Sequence, residues 1–73
     1  MPSLPVVSGR EVVKALEGSG WTVVRQSSSH IIMTHPDHIV TLSVPDHKEV
    51  AKGTLRGLIR TAGLTVAEFV AAL

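Results

Sequence analysis

The chain has 73 residues, a net charge of +1 with neutral histidines and no cysteine, so it is predicted to form one domain, residues 1–73, without disulfides or thiolate metal sites. No apolar run approaches the ~20 residues of a membrane span, and the N-terminus lacks the basic and apolar regions of a signal peptide, so a cytoplasmic location is expected. The pI of about 8.3 excludes a strongly basic nucleic-acid-binding domain, and any RNA contact must come from local clusters of basic residues.

The first predicted helix has a clear beginning and end. Residues 1–7 contain two prolines, which disfavour helix, and are predicted to be an extended leader. Ser8 and Glu11 have the spacing of a capping box, in which each side chain bonds the backbone of the other residue. A helix is therefore expected at about residues 9–18, and Gly18-Ser19-Gly20 should end it.

Three short strands follow the helix. Residues 21–26, 30–35 and 39–44 are rich in β-branched residues and too short for helices. Ser27-Ser28-Ser29 is a tight polar connection between the first two strands, and Pro36-Asp37 is a turn signal between the last two. The strands should therefore form an antiparallel meander.

The second turn fixes a predicted register. If Pro36-Asp37 are its two central residues, His35 pairs with His38. The other apolar-face pairs expected from this register are Met33 with Val40, Ile31 with Leu42 and Ser29 with Val44. His30 then lies on the opposite, polar face, and a slip of one residue is disfavoured because it would expose the apolar positions.

Two more helices complete the predicted fold. A charged loop, residues 46–52, precedes a run whose apolar residues recur at i, i+3, i+4 and i+7: Leu55, Leu58, Ile59 and Ala62. Gly63 is the expected C-terminal stop, and Thr65 with Glu68 forms a second capping box before a short helix at about 66–72. The order α-β-β-β-α predicts a two-layer α+β domain like the double-stranded-RNA-binding fold, with one sheet face covered by helices.

Four sequence pieces resemble a known family. They are the opening helix followed by Gly20-Trp21; Arg25-Gln26-Ser27-Ser28-Ser29-His30; Val44-Pro45-Asp46-His47; and Gly53-Thr54-Leu55 with Ile59-Arg60-Thr61-Ala62-Gly63-Leu64-Thr65. In order and spacing they are similar to motifs of the HicA (YcfA-like) toxins of bacterial toxin–antitoxin systems. The resemblance covers roughly residues 8–70.

The resemblance implies an endoribonuclease toxin that cleaves mRNA without a metal or other cofactor. It also implies a HicB antitoxin that covers the active site, and it gives no reason to expect contact with DNA or membranes. The family's essential histidine falls on His30. The sequence departs from the family pattern where Ser28 stands in place of glycine, Ser27 in place of a common lysine, and His38 in place of the glycine often found after Pro-Asp.

His30 is the candidate general acid or base. RNA cleavage requires a proton taken from the 2′-hydroxyl and one given to the leaving 5′-oxygen, and imidazole, with an ordinary pKa near 6.5, can do either. The alternative is a strand-end histidine that caps a backbone group. His47 is a candidate for the second proton transfer, although a loop histidine within the turn Pro45-Asp46-His47 is the favoured interpretation.

Six residues are expected to contact RNA, because each has a polar or cationic side chain and lies near the motif loop or the start of the long helix. They are Arg25, Ser28, Ser29, Lys48, Lys52 and Arg56. Phosphate contacts dominate nucleic-acid affinity, and the helix N-terminus near Gly53-Thr54 adds N–H donors. The two serines can equally be plain turn formers, and Arg60 is more typical of a solvated helix face.

Two further features have structural interpretations. His35 and His38 flank the Pro36-Asp37 turn and could meet as a cross-strand pair, but with no third ligand in view no metal site is predicted. Trp21 is expected in the core and not as a base-stacking residue. Two alternatives to a ribonuclease toxin stay open at this point: a non-catalytic RNA-binding module of the same fold, and a protein-interaction domain whose small core is completed by a partner.

Overall fold

A computed structural model describes residues 3–73. Its helices and strands are α1 (Gly9–Glu17), β1 (Thr22–Ser27), β2 (His30–His35), β3 (His38–Pro45), α2 (Lys52–Thr61) and α3 (Val66–Ala71). The predicted element order is confirmed, and the observed ends differ from the predicted ones by one residue at most. The first two residues of the predicted leader, Met1 and Pro2, lie outside the described residues, and residues 3–8 contain neither helix nor strand.

The three strands form one antiparallel sheet in the order β1-β2-β3. The helices cover one face of this sheet, and the core lies between the two layers. That core is apolar throughout: Leu4, Val7, Val12, Val13, Ala15, Leu16, Trp21, Ile31, Met33, Leu42, Val44, Val50, Leu55, Leu58, Ile59, Ala62 and Phe69. The predicted α+β class, with one open three-stranded sheet, is confirmed.

Both predicted capping boxes are present. The Ser8 hydroxyl accepts from the N–H of Glu11 at 3.1 Å and the Glu11 carboxylate accepts from the N–H of Ser8 at 2.9 Å. Thr65 and Glu68 repeat the arrangement at α3, with distances of 3.1 and 2.8 Å. These bonds satisfy N–H groups that have no partner inside the helix. Within residues 3–73, none of the helices combines the length and the hydropathy that a membrane crossing requires.

The two longer helices end in the same way. Gly20 and Gly63 have φ values of +95° and +78°, in the left-handed region that glycine enters at little cost. After each glycine the chain donates back into the helix, from Trp21 N–H to Leu16 O and from Leu64 N–H to Ile59 O, both at 3.1 Å. This is the Schellman motif, and it turns the chain sharply towards the sheet after α1.

The register between β2 and β3 differs from the predicted one. His35 pairs with His38 as expected, but Met33 pairs with Leu42 and not with Val40. The short turn fixes the first pair, and a bulge in β3 then takes up two extra residues before Leu42. Because the shift is even, Leu42 and Val44 stay on the buried face as predicted. Val40, predicted on that face opposite Met33, lies in the bulge and is 42 % exposed, and the individual pairs predicted beyond the bulge are wrong.

The start of α1 is held against the end of β3. The N–H of Gly9 donates to the carbonyl of His47 at 2.9 Å, and the N–H of Val50 donates to the carbonyl of Val7 at 2.8 Å. A Cβ atom on Gly9 would collide with the carbonyl oxygen of Pro45. Only glycine therefore fits at position 9, where the backbone of α1 contacts the backbone of the loop after β3.

The far end of the hairpin is closed by three aromatic rings. Trp21 is buried, as predicted, and its ring centroid lies 5.3 Å from that of His35 and 5.0 Å from that of His38. The two histidines meet edge to face at 4.8 Å. Since His35 also bonds the carbonyl of Ser19 through Nε2 and the N–H of Asp37 through Nδ1, this histidine ties the hairpin to the end of α1.

Candidate functional site

His30 lies at the beginning of the central strand, on the sheet face that the helices leave open. It pairs with Ser27 on β1 and with Pro45 on β3. Ile31 and Met33, its alternating neighbours, are buried while His30 is exposed. Because successive side chains of a strand point to opposite faces, the predicted orientation of His30 towards the solvent side is confirmed.

One nitrogen of the His30 ring is already engaged. Nδ1 lies 3.1 Å from the hydroxyl of Ser29, the preceding residue. Among residues 3–73 no other side-chain hydrogen bond involves His30, which is exposed, so Nε2 has no partner within the described chain. The imidazole therefore has one side oriented by the protein and the other available to a ligand.

The turn that carries Ser29 contains only two residues, Ser28 and Ser29, between β1 and β2. Two-residue hairpin turns favour positive φ values because these match the twist of the strands. Neither serine has a positive φ, so the serine that stands where the resemblance expects glycine keeps an ordinary backbone conformation. Both hydroxyls lie in exposed residues at the end of the sheet beside His30.

Arg25 is the cation that the sheet brings to His30. It pairs with Ile32, two residues along β2 from His30, and is therefore a diagonal neighbour of His30 on the open face. A bulge between Val23 and Arg25 shifts the register of β1 by one residue. The bulge lets Val23 lie opposite the buried Met33 while Arg25 stays on the open face.

The remaining predicted RNA contacts lie beyond β3. Lys48 is exposed in the loop, Lys52 begins α2, and Arg56 lies one turn further along the same side of the helix. No hydrogen bond among the described residues joins these side chains to His30. The first turn of α2 contains no acidic residue, and its N-cap, Ala51, supplies no side-chain bond, so N–H groups at this end are free to bind an anion.

The loop after β3 contains a residue that sequence reasoning missed. The Asp46 carboxylate accepts hydrogen bonds from Arg10 and Gln26, which lie 36 and 20 positions away in sequence. No local pattern predicts pairs at such separations, although Asp46 does fall within the Val44–His47 motif. His47, the candidate second acid or base, is exposed and bonds Gly9 through its carbonyl, which leaves its ring without an assigned role.

The family model of the HicA toxin of bacterial toxin–antitoxin systems matches residues 9–64, well over half of the chain. The chain belongs to the HicA toxin family. Among solved structures, a chain of the toxin–antitoxin complex from Streptococcus pneumoniae has 34 % sequence identity to this HicA-family chain and a TM-score of 0.71. That match covers 80 % of this chain and 98 % of the other. No curated protein sequence matches this chain significantly.

Proposed function

We propose that this HicA-family toxin is an endoribonuclease that cleaves mRNA, with His30 as its general acid or base and with no metal ion. The observation that carries the proposal is the His30 imidazole, exposed on the open sheet face with Nδ1 held by Ser29. Such a ring can exchange a proton through Nε2 with a bound substrate. The family membership adds that the chain is a toxin of a toxin–antitoxin system.

The Ser29 contact supports either direction of proton transfer. If Nδ1 carries the proton and donates to the Ser29 hydroxyl, Nε2 is unprotonated and can accept the proton of a 2′-hydroxyl. If the ring is doubly protonated, Nε2–H can donate to the leaving 5′-oxygen. In both states Ser29 holds the ring, so the reacting nitrogen faces the substrate with little loss of rotational freedom.

The RNA backbone is proposed to run from the open face towards α2. Arg25, Ser28 and Ser29 would contact the phosphates next to the scissile bond, and Lys48, Lys52 and Arg56 those further along. Within residues 3–73 the one ion pair joins Arg10 to Asp46, so these cations are not neutralised by carboxylates of the described chain. Phosphates at the start of α2 would also receive N–H donors and the favourable end of the helix dipole.

The proposed protein partner is a HicB-type antitoxin that covers His30. The solved structure similar to this chain is described as a toxin–antitoxin complex, which supports a partner of this kind here. An antitoxin that binds the open sheet face would block the RNA site directly. We further propose that residues 1–73 act as one domain in the cytoplasm, where the mRNA is found.

The deciding experiment measures RNA cleavage by purified wild-type protein, His30→Ala and His47→Ala, each with and without EDTA. Loss of a general acid or base lowers the rate by about 10²- to 10⁴-fold, and we expect this loss for His30→Ala. His47→Ala tests the other candidate acid or base, an exposed histidine in the adjoining loop, and we expect it to keep the wild-type rate. Circular dichroism verifies that the variants are folded.

Cleavage by His30→Ala at the wild-type rate would show that the assigned residue is wrong. Cleavage by wild type that stops when EDTA is added would show that the metal-free mechanism is wrong. A loss in His47→Ala as large as in His30→Ala would identify His47 as the second acid or base.

A second candidate function is a non-catalytic RNA-binding module of the same fold. The observation that favours it is Ser28, which has no positive φ, so the turn lacks the left-handed conformation that a glycine at this position could also adopt. If wild type binds RNA without cleaving it, and Ser28→Gly gains cleavage, this copy is a binding form of the fold whose turn limits catalysis.

A further inference from the structure

The loop after β3 lies beside the turn that carries His30. Asp46 comes directly after Pro45, the strand partner of His30, and its N–H donates to the carbonyl of Ser29 at 2.8 Å. The hydroxyl of Ser29 in turn lies 3.1 Å from Nδ1 of His30. Two hydrogen bonds therefore connect Asp46 to the imidazole through a single intermediate residue.

The Asp46 carboxylate is itself held by two other elements. From α1, Arg10 donates through Nε to Oδ1 at 3.3 Å and through Nη2 to Oδ2 at 3.2 Å. From β1, Gln26 donates through Nε2 to Oδ2 at 3.1 Å. Because β2 lies between β1 and β3 and Gln26 pairs with the buried Ile31, the bond between Gln26 and Asp46 crosses the end of the central strand on the helix-covered face, and its link to His30 runs through the backbone of Ser29.

The exposure of these groups distinguishes this carboxylate from a mobile surface residue. The Asp46 side chain is 23 % exposed, whereas that of Arg10 is 68 % exposed. The backbone on both sides of Asp46 is also fixed, because Gly9 packs against the Pro45 carbonyl and donates to the His47 carbonyl. Asp46 is thus the point at which α1, β1 and the Ser29 turn are connected.

We propose that Asp46 is a positioning residue for His30. Its carboxylate, held by Arg10 and Gln26, fixes the N–H that bonds the Ser29 carbonyl, and this bond fixes the hydroxyl that orients the His30 ring. The inference rests on the proposed function, since it concerns the orientation of the same acid or base. Asp46 does not touch the RNA in this arrangement, so its loss should lower kcat and leave KM almost unchanged.

The test compares Asp46→Ala and Asp46→Asn with Glu49→Ala. Glu49 is a matched control, an exposed carboxylate in the same loop that makes no side-chain hydrogen bond among the described residues. The first measurement is the ¹⁵N NMR signal of His30 Nδ1, which reports the bond to Ser29 without requiring activity. We expect this signal to move towards that of a free imidazole in Asp46→Ala, less so in Asp46→Asn, and not in Glu49→Ala.

The second measurement is the steady-state kinetics of RNA cleavage, from which kcat and KM are obtained. A catalytic group displaced by about 1 Å can cost about 100-fold in rate, and we expect kcat to fall by about 10- to 100-fold in Asp46→Ala. KM should change by about twofold or less, and Asp46→Asn, which keeps an oxygen acceptor for Gln26, should recover part of the loss.

The outcomes separate this inference from the proposed function. An unchanged His30 Nδ1 signal in folded Asp46→Ala overturns the inference, whether or not the protein cleaves RNA. A changed signal together with no cleavage by wild type overturns the proposed function and leaves the orienting contact in place. If circular dichroism shows that Asp46→Ala is unfolded, the near-isosteric Asp46→Asn gives the same decision.

Discussion

Chemically identical side chains have different roles at the two ends of the hairpin. His30 has one ring nitrogen bonded to Ser29 and lies on the open face. His35 has both nitrogens occupied, by Ser19 and by Asp37, and packs against Trp21. A ring with no free nitrogen cannot exchange a proton with a ligand without first breaking a native bond. The hydrogen bonds of each imidazole therefore distinguish the structural histidine from the candidate catalytic one.

Gly20 provides the space that the His35 ring occupies. A Cβ atom at this position would lie 2.7 Å from Nε2 of His35, and the glycine has a φ of +95°. The ring cannot move aside freely because both nitrogens are bonded. We expect Gly20→Ala to lower the free energy of unfolding by about 1–3 kcal/mol, measured by urea denaturation followed by circular dichroism.

Gly57 is the matched control for Gly20→Ala. It lies inside α2, and a Cβ atom there would meet no atom within 4 Å. Since alanine favours helix over glycine, Gly57→Ala should raise the free energy of unfolding by about 0.5–1 kcal/mol. Equal effects of the two substitutions would show that the contact with His35 does not constrain position 20.

At the scale of the elements, α2 differs from the other two helices at its N-terminus. Both α1 and α3 begin with a complete capping box. The helix α2 begins after Ala51, which supplies no side-chain bond, and carries Lys52 in its first turn with no acidic residue. A cation near the N-terminus is unfavourable for the helix dipole, and the first N–H groups of α2 receive no side-chain cap. This end of the helix is therefore suited to an anionic ligand.

Two substitutions at Ala51 separate helix stability from RNA binding. Ala51→Ser and Ala51→Asp both add an N-cap oxygen, and each should raise the free energy of unfolding by about 1 kcal/mol. Only aspartate adds a negative charge, which should weaken RNA binding about fivefold, equivalent to about 1 kcal/mol of lost attraction. Fluorescence titration with RNA and urea denaturation measure the two effects. Equal RNA affinities of the two variants would place the phosphate away from α2.

At the scale of the whole molecule, the net charge of +1 conceals an uneven distribution. Asp46 is paired with Arg10, whereas Arg25, Lys48, Lys52 and Arg56 form no ion pair among residues 3–73. A nearly neutral chain can therefore present several free cations to a polyanion. The proposed RNA interface depends on this local excess, as the composition predicts.

The salt dependence of RNA binding counts the cations that contact phosphates. For single-stranded nucleic acid the slope of log K against log salt is about −0.7 for each neutralised phosphate. Lys52→Ala and Arg25→Ala should each reduce the magnitude of the slope by about 0.7. Lys14→Ala, an exposed lysine on α1, is the control and should leave the slope unchanged. A change as large in the control would point to a non-specific charge effect.

Several features followed from the sequence alone because their signals are local. A capping box needs residues only three positions apart, so Ser8 with Glu11 and Thr65 with Glu68 located the starts of α1 and α3. The alternation along β2 determined that His30 lies on the face opposite Ile31 and Met33. The family motifs are also short segments, and the HicA assignment followed from their order.

Only the tertiary structure decided the contacts between distant segments. The two-residue bulge in β3 arises because the short turn pairs His35 with His38 while Leu42 pairs with Met33 in the core. The residue pattern of a single strand does not predict such a bulge. The bonds from Arg10 and Gln26 to Asp46 join residues from three elements, and their partners are chosen by the packing of α1 against the sheet. The sequence thus determined the elements, their faces and the candidate histidine. The surroundings that orient this histidine were decided by the fold, because hydrogen bonds between remote residues form only after the elements have packed.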